Sequence, residues 1–345
     1  MTRPVRSSVV AVLVVLAVGA AGWAARPLGD PVTSSVGEAL SVLPEQTTSI
    51  GFTDWERLRS GPVPFDAMSE RDLTTRSDLY EARDAMESAL GWSVDDVQWE
   101  VVGLGAAGPV VVVRTAPGTT GAEVREGLAG AGFERRGEAW TLPPEVLSRA
   151  GLPSSMQSVR VLARERLVVL GETAQAASRV VGVVRAGDPA VTRDRGVLDV
   201  VQALAGSDAW YLERLGLACA ASQMPDEESQ QQADVALDGV GRLVEHTTSG
   251  RGIVDHGGGG IAAQTVTFAM DFAGSPRGPS VAREQMGVRE AVSTGPFIGR
   301  SGDLGRTLRY DSGSVDGSTL RLVFDHDPDT DVVMTGVGPL LFASC

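Results

Sequence analysis

The sequence contains no lysine and no asparagine, and both absences exclude chemistry. Without lysine the chain has no Walker A lysine, no Schiff-base nucleophile and no attachment point for pyridoxal phosphate. Without asparagine it has no acceptor for N-glycosylation. Composition alone therefore removes several classes of enzyme and one class of surface modification.

Cysteine is scarce: the chain has only Cys219 and Cys345, and neither has a histidine close to it in the sequence. A nucleophilic cysteine needs a nearby base, so the local sequence does not favour catalysis. In an oxidising compartment an even pair most simply forms a disulfide. We expect Cys219 and Cys345 to form that bond, which would tie residue 345 to a predicted strand over 209–220. A metal-binding role for the pair is the alternative.

Basic residues are outnumbered by acidic ones. The formal net charge is −14, and no cluster of arginines interleaved with aromatic residues interrupts the acidic surface. Such a surface is repelled by nucleic acid and by anionic lipid or wall polymers. We therefore expect no nucleic-acid partner.

One long hydrophobic run is present, at the N-terminus. It extends from Val9 to Ala25 without a charge, with Arg3 and Arg6 before it and Arg26 after it. Its 17 residues are at the lower limit for spanning a bilayer, and the preceding arginines favour a cytoplasmic N-terminus. We interpret residues 1–26 as an uncleaved signal anchor, with a cleaved signal peptide as the alternative. The rest of the chain is then outside the cytoplasm, either tethered to the membrane or, after cleavage, secreted.

The remaining chain divides by composition and pattern. Residues 27–44 are rich in proline, glycine and serine and predict a flexible stem. Alternating and 3.6-residue apolar patterns predict an α+β fold of two similar halves, 45–205 and 206–345, each a mainly antiparallel sheet with packed helices. A strand, turn and helix recur at 110–131 and 265–288, which indicates a divergent duplication.

A glycine pattern, Gly103-Leu-Gly105-Ala-Ala-Gly108, fits the dinucleotide-binding spacing. That chemistry requires a helix to begin after the glycines, so that its amides meet a pyrophosphate. Pro109 and four valines come next instead, which predicts a second strand. We interpret the pattern as the turn of a hairpin.

Asp325, Asp327, Asp329 and Asp331 stand at alternate positions, as acidic residues do in calcium loops. An EF-hand starting at Asp325 would need glycine in sixth place and glutamate in twelfth, where this chain has Thr330 and Gly336. Pro328 and Asp329 instead favour a type I turn. We expect a solvated hairpin tip, with a weak calcium site as the alternative.

Two dipeptides, Glu245-His246 and Asp255-His256, flank the glycine-containing stretch Thr248–Gly252. A hairpin over this stretch would bring them together, and zinc binds such mixtures of imidazole and carboxylate. Neighbouring residues in a strand point to opposite faces, so no more than one member of each dipeptide could face a shared ion. We expect structural roles for all four, with a metal site as the alternative.

The plan of the chain resembles that of uncharacterised actinobacterial extracytoplasmic proteins with one N-terminal anchor and a duplicated α+β ectodomain. The resemblance rests on the Arg-flanked apolar run, the stem, and the entry Val42-Leu43-Pro44-Glu45 before the first predicted strand. The abundance of Ala, Val, Gly and Arg is also similar to the codon bias of a GC-rich genome. The resemblance implies no catalytic residues.

No nucleophile, base and oxyanion set is recognisable, so the sequence favours binding over catalysis. We expect a membrane-tethered module of the cell envelope that binds another envelope protein or a wall component and needs no cofactor. The alternative is a calcium- or zinc-dependent extracytoplasmic enzyme or module.

Overall fold

The computed structural model describes residues 35–74, 76–214, 216–220, 227–293, 308–329 and 340–345. The predicted anchor, residues 1–26, and the first part of the predicted stem lie outside these ranges. Within the ranges, no helix combines the length and the apolar character needed to cross a bilayer.

The described strands form one sheet of twelve, in the order β11-β12-β10-β9-β8-β1-β2-β3-β7-β6-β5-β4. Every neighbouring pair is antiparallel. The strands are β1 Ser49–Thr53, β2 Val97–Gly105, β3 Gly108–Thr115, β4 Glu134–Arg136, β5 Ala139–Thr141, β6 Ser158–Leu162, β7 Leu167–Gly171, β8 Ala209–Arg214, β9 Thr248–Asp255, β10 Gln264–Asp271, β11 Leu308–Asp316 and β12 Thr319–His326. The protein is thus α+β with a large antiparallel sheet.

Helices cover both faces of this sheet. They are α1 Ser35–Ser41, α2 Trp55–Ser60, α3 Arg83–Leu90, α4 Gly121–Gly130, α5 Pro144–Ala150, α6 Ala174–Val181, α7 Arg195–Ala203, α8 Gly216–Ala220, α9 Glu227–Leu237 and α10 Gly278–Ser293. The apolar residues of α2, α3, α4, α5, α9 and α10 belong to one core cluster, and those of α1, α6 and α7 to a second.

The alternation of side chains along the central strands separates these two clusters. In β3, Val111 and Val113 lie in the first cluster, whereas Val110 and Val112 lie in the second. Successive residues of a strand point to opposite faces, so a strand buried on both faces is a continuous apolar run. This is why four consecutive valines stand at the centre of the sheet.

The two halves share one continuous sheet, joined where β1 pairs with β8. Strands β1, β2 and β3 are followed by α4, and β7 then pairs with β3 while β6 lies outside it. In the same way β8, β9 and β10 are followed by α10, and β12 pairs with β10 while β11 lies outside it. The first half extends further through β5 and β4.

The predicted hairpin at the glycine pattern is present, because β2 and β3 pair up to Gly105 and Gly108. Gly108 has φ +100, a backbone conformation that side-chain-bearing residues rarely adopt. These glycines therefore close a tight turn between two strands, and no helix begins there.

The predicted flexible stem, 27–44, is too long. Residues 35–41 form α1, whose Ala39 and Leu40 are buried, and Leu43 after it is buried as well. These side chains pack in the second core cluster, while Pro44 forms a bridge with Ala190. Burial of these apolar side chains stabilises a folded conformation of the segment, although the proline and glycine upstream predicted a flexible one.

Candidate binding and metal-ligating site beside the disulfide

Cys219 and Cys345 form a disulfide with their Cα atoms 5.5 Å apart and a sequence separation of 126. Cys219 lies in α8, a short helix that comes after β8, so the predicted strand over 209–220 ends at Arg214. Cys345 comes after a turn of 3-10 helix, Leu341–Ala343. The bond therefore ties the last residues of the chain to α8, near the start of the second half.

Arg289 of α10 holds the same terminal segment from inside the protein. Its guanidinium is fully buried and donates to the carbonyl oxygens of Phe342 (2.6 Å), Ser344 (2.8 Å) and Val244 (3.1 Å). No carboxylate of the described residues forms an ion pair with it, and its charge lies 5.6 Å from the ring of Phe272. Burial lowers the pKa of Arg289 to about 9.

His246 lies between this guanidinium and the sulfur atoms. Its Nδ1 is 3.5 Å from Cys345 Sγ, and Cys219 Sγ is 3.6 Å from its carbonyl oxygen. Burial, and secondarily the charge of Arg289, lower the pKa of His246 to about 3. The imidazole is therefore neutral at physiological pH, with a ring nitrogen free of a second proton.

These three residues form a compact set of metal-ligating atoms. One ligand atom each from Cys219, His246 and Cys345 lies within 4.8 Å of the others, and this is the one such group among the described residues. Neither cysteine has a histidine beside it in sequence, so the sequence predictions missed the group. The fold brings His246 to Cys219 across 27 residues and to Cys345 across 99.

A cavity of about 880 Å³ opens beside the disulfide. Its apolar walls and polar rim come from α8, α9, the segment 242–245 and the chain end, namely Cys219, Gln230, Ala233, Asp234, Leu237, Arg242, Leu243, Val244, Glu245, Leu341, Ser344 and Cys345. Its size falls within the range of about 300–1,000 Å³ that ligand sites usually have.

One exposed apolar side chain lines this cavity. Of the five large ones exposed in the described part of the chain, Val244 belongs to the lining. Leu217 and Val235 lie on α8 and α9, which contribute other residues to the lining, and Val240 follows α9. The fifth, Leu104, lies in β2 of the first half. Contiguous apolar surface of this kind marks interaction sites, whereas single exposed residues do not.

The same stretch is acidic. Residues 227–245 contain five carboxylates and one arginine, Arg242. Two of the acids, Asp234 and Glu245, line the cavity itself. The lining thus combines apolar side chains with two carboxylates and one arginine.

Among the described residues of the acidic run predicted as a hairpin tip or calcium site, the carboxylates of Asp325, Asp327 and Asp329 do not form a metal-ligating group. Asp325 pairs with Arg309 on the neighbouring strand, and Asp329 lies 3.7 Å from Arg71 Nη1. Asp327 accepts from the backbone N–H of Asp329 at 3.1 Å. Asp331 lies outside the described residues. The arginines that contact two of these acids were not identifiable as partners from spacing.

The other predicted metal group consists of Glu245, His246, Asp255 and His256. In the structure its two dipeptides lie at opposite ends of one strand. Thr248–Gly252 belongs to strand β9, so Glu245 and His246 precede this strand whereas Asp255 ends it. Seven steps of about 3.3 Å put the two ends roughly 23 Å apart. The hairpin prediction over 248–252 is wrong because this backbone pairs with β8 and β10 on both sides.

The turn lies instead between β9 and β10. Gly257, Gly258 and Gly260 there have φ between +74 and +85. His256 beside this turn contacts Thr265 Oγ1 through Nε2 at 2.9 Å.

Asp255 takes part in a buried polar network. Arg71, from the connection between α2 and α3, donates to both of its carboxylate oxygens at 2.7 and 2.9 Å. Gln264 donates to the same carboxylate at 2.7 Å, and its carbonyl contacts His326 Nδ1 at 2.9 Å. The carboxylate is satisfied by an arginine and an amide, which argues for a structural role.

A second buried acid, Glu100 of β2, was not anticipated. Its carboxylate accepts from Trp55 Nε1 (3.0 Å), Ser77 Oγ (2.7 Å) and the backbone N–H of Asp78 (3.1 Å). Burial raises the pKa of Glu100 to about 7, although these hydrogen bonds oppose the shift. Its position in an otherwise apolar strand pattern gave no signal of this role.

Comparisons of the chain with protein-family models, with curated proteins and with solved structures found no match. The geometry of the site is therefore the basis for assigning a function.

Proposed function

We propose that the protein is a membrane-tethered binding module of the cell envelope that captures a protein segment in the cavity beside the Cys219–Cys345 disulfide. The observation that carries this proposal is a cavity of about 880 Å³ whose lining combines apolar side chains, among them the exposed Val244, with the carboxylates of Asp234 and Glu245. The tether is the N-terminal apolar run, and the ectodomain lies outside the cytoplasm. Such a compartment is also where a disulfide persists.

The side chains that line the cavity favour a partner segment that is partly apolar and partly basic. Apolar side chains such as Leu237 and Leu243 in the wall favour an apolar anchor residue in the bound segment. The excess of carboxylates over 227–245 favours basic residues flanking that anchor. We therefore propose an extended segment with one or two apolar side chains flanked by Arg or Lys.

The order of elements supports a further proposal on the origin of the fold. We infer that the two halves arose by duplication, since the series strand, helices, hairpin, helix and closing hairpin occurs in both with the same pairing order, apart from β4, β5 and α5, which precede the closing hairpin in the first half alone. The cavity belongs to the second half.

Site-specific photocrosslinking in native cells tests the proposed surface. A benzophenone amino acid replaces Val244 or Gln230, two exposed residues that line the cavity, in the full-length chain, and Leu104 in the control. We expect the first two positions, but not the control, to crosslink the same segment of one envelope protein. That segment should contain an apolar residue flanked by Arg or Lys.

Binding of a synthetic peptide with the captured sequence to the purified full chain provides the quantitative test. We expect Val244→Glu to weaken binding at least tenfold, and Asp234→Arg to weaken it most at low salt, where charge attraction is least screened. Equal capture at Leu104, crosslinks to lipid or wall polymer alone, or unchanged peptide affinity in both variants would overturn the proposal.

A further inference from the structure

A second property of this region does not depend on the proposed partner. Cys219, His246 and Cys345 bring two sulfur atoms and an imidazole within 4.8 Å of one another. We propose that, when the disulfide is reduced, these three residues bind one Zn²⁺ ion. Two thiolates and one imidazole are ligands that zinc prefers, and three protein ligands leave one coordination position open.

One distance between ligand atoms, from a ring nitrogen of His246 to the sulfur of Cys345, already matches that of a zinc site. In tetrahedral coordination with Zn–S of about 2.3 Å and Zn–N of about 2.0–2.1 Å, a sulfur and a nitrogen ligand are about 3.6 Å apart. His246 Nδ1 lies 3.5 Å from Cys345 Sγ. The two sulfur atoms, freed from their bond, have only to move apart by side-chain rotation.

The imidazole is also held in place as metal-bound histidines are. The backbone carbonyl of Ala218 hydrogen-bonds the ring, and Phe272 packs against it edge to face with the ring centroids 6.2 Å apart. A carbonyl on one ring nitrogen orients the other toward a metal. His246 is buried, so its ring loses little freedom on binding.

Charge favours the same conclusion. Arg289 is a fully buried cation that donates to carbonyl oxygens of the chain end and of Val244, with no carboxylate of the described residues paired to it. A buried charge without a counter-charge is costly. Thiolates at Cys219 and Cys345 would be stabilised by the guanidinium before the metal binds. Once bound, their two negative charges balance one Zn²⁺ ion, so the loaded site adds no net positive charge beside Arg289.

The open coordination position faces an accessible space. Cys345 and Cys219 line the cavity, so water or a group of the cavity's occupant can reach the ion. In the reduction step, a phosphine gives two electrons to the disulfide and becomes its oxide by taking oxygen from water, whose two protons convert the sulfur atoms to thiols. Zinc binding then forms two Zn–S bonds and releases both protons.

Cobalt substitution under anaerobic conditions tests this site. The full chain in detergent is reduced with a phosphine, freed of excess reductant and titrated with Co²⁺, which absorbs in the visible when tetrahedral and in the near ultraviolet when bound to thiolate. We expect one Co²⁺ per chain, displaced by Zn²⁺. The oxidised protein should show neither band.

Substitutions test whether the Co²⁺ ion binds at Cys219, His246 and Cys345 and not elsewhere in the protein. We expect Cys219→Ser to abolish the thiolate band and His246→Gln to weaken Co²⁺ binding at least tenfold. The control is His256→Gln, at the far end of β9, which should bind as the wild type does. Circular dichroism checks that each reduced variant is folded.

Several outcomes would overturn the proposal. These are a folded, reduced wild type that gives no thiolate–cobalt band, or a band that survives Cys219→Ser. If reduction unfolds the wild type, addition of Zn²⁺ must restore its structure and raise its melting temperature; failure to do so also overturns the zinc site. None of these results bears on the peptide test, which uses the oxidised protein.

Discussion

Arg71 in the first half and Asp255 in the second form a two-point ion pair, with Nε 2.7 Å from Oδ2 and Nη2 2.9 Å from Oδ1. Both side chains are largely buried. The pair attaches the connection between α2 and α3 to the far end of β9. It therefore links the two halves away from the β1–β8 junction.

Replacing Arg71 should destabilise the protein strongly. In Arg71→Met the carboxylate of Asp255 stays buried beside Gln264 without its counter-charge, a situation that costs about 3–5 kcal/mol. Urea unfolding of the full chain measures the loss. The matched control is Arg195→Met, whose pair with Asp199 is exposed on the arginine side and should contribute less than about 1 kcal/mol. Equal losses in the two variants would contradict the buried role.

Two glycines of α4 should respond oppositely to alanine. A Cβ at Gly127 would collide with the backbone carbonyl oxygen of Leu90, so Gly127→Ala must push α3 and α4 apart. Overpacking of this kind costs about 1–3 kcal/mol or more. At Gly130 a Cβ meets no atom within 4 Å, and Gly130→Ala should stabilise by about 0.5–1 kcal/mol. Melting temperatures that shift in the same direction would refute this difference in packing.

Glu100 should make stability depend on pH between about 4.5 and 7. Its folded pKa is raised, so the folded state holds a proton that the unfolded state has lost. The stabilisation is complete below pH 4.5 and is lost as pH rises through about 7, with a total of roughly 3 kcal/mol.

The Glu100→Gln variant should lose this dependence while keeping a neutral side chain of similar shape. Unfolding free energies at pH 5 and pH 8 give the comparison, with the exposed Glu145→Gln as control. The wild type and the control should both lose stability between these values by more than Glu100→Gln does. A variant with the same profile as the wild type would show that other groups cause the dependence.

Removal of the disulfide should lower the melting temperature. In the chain-entropy model, a loop closed over 126 residues contributes about 5 kcal/mol. Cys219→Ser and Cys345→Ser should therefore melt lower than the oxidised wild type, by similar amounts. Reductant should bring the metal-free wild type to the level of the variants and leave the variants unchanged. An oxidised variant that melts with the wild type would show that Arg289 alone holds the chain end.

Local apolar patterns in the sequence predicted much of the secondary structure. The four valines after Pro109 and the apolar pattern at the start of 265–288 predicted strands, and the structure has β3 and β10 there. Those valines also identified the glycine pattern at 103–108 correctly as a hairpin turn. By contrast, the glycines of 248–252 suggested a turn where the structure has β9. A strand that is paired on both sides can include glycines where neighbouring side chains approach closely, and spacing alone does not reveal this.

The candidate site was less predictable. Cysteine count led to the disulfide, because an even pair has one simple outcome. The sequence contained no sign that His246 would join the two sulfur atoms, since its nearest cysteine is 27 residues away. Arg289 was equally hidden among 30 arginines, and only its burial distinguishes it.

The sequence by itself determined the acidic charge, the exclusion of lysine chemistry, the antiparallel α+β class and the pair of cysteines. These depend on composition and on short-range periodicity. Only the tertiary structure decided that the two halves form one sheet through β1 and β8, that Arg71 pairs with Asp255, and that Cys219, His246 and Cys345 meet beside a cavity. Each of these relationships joins residues far apart in the chain, and such contacts are set by how the strands pair and how helices and loops pack on the sheet.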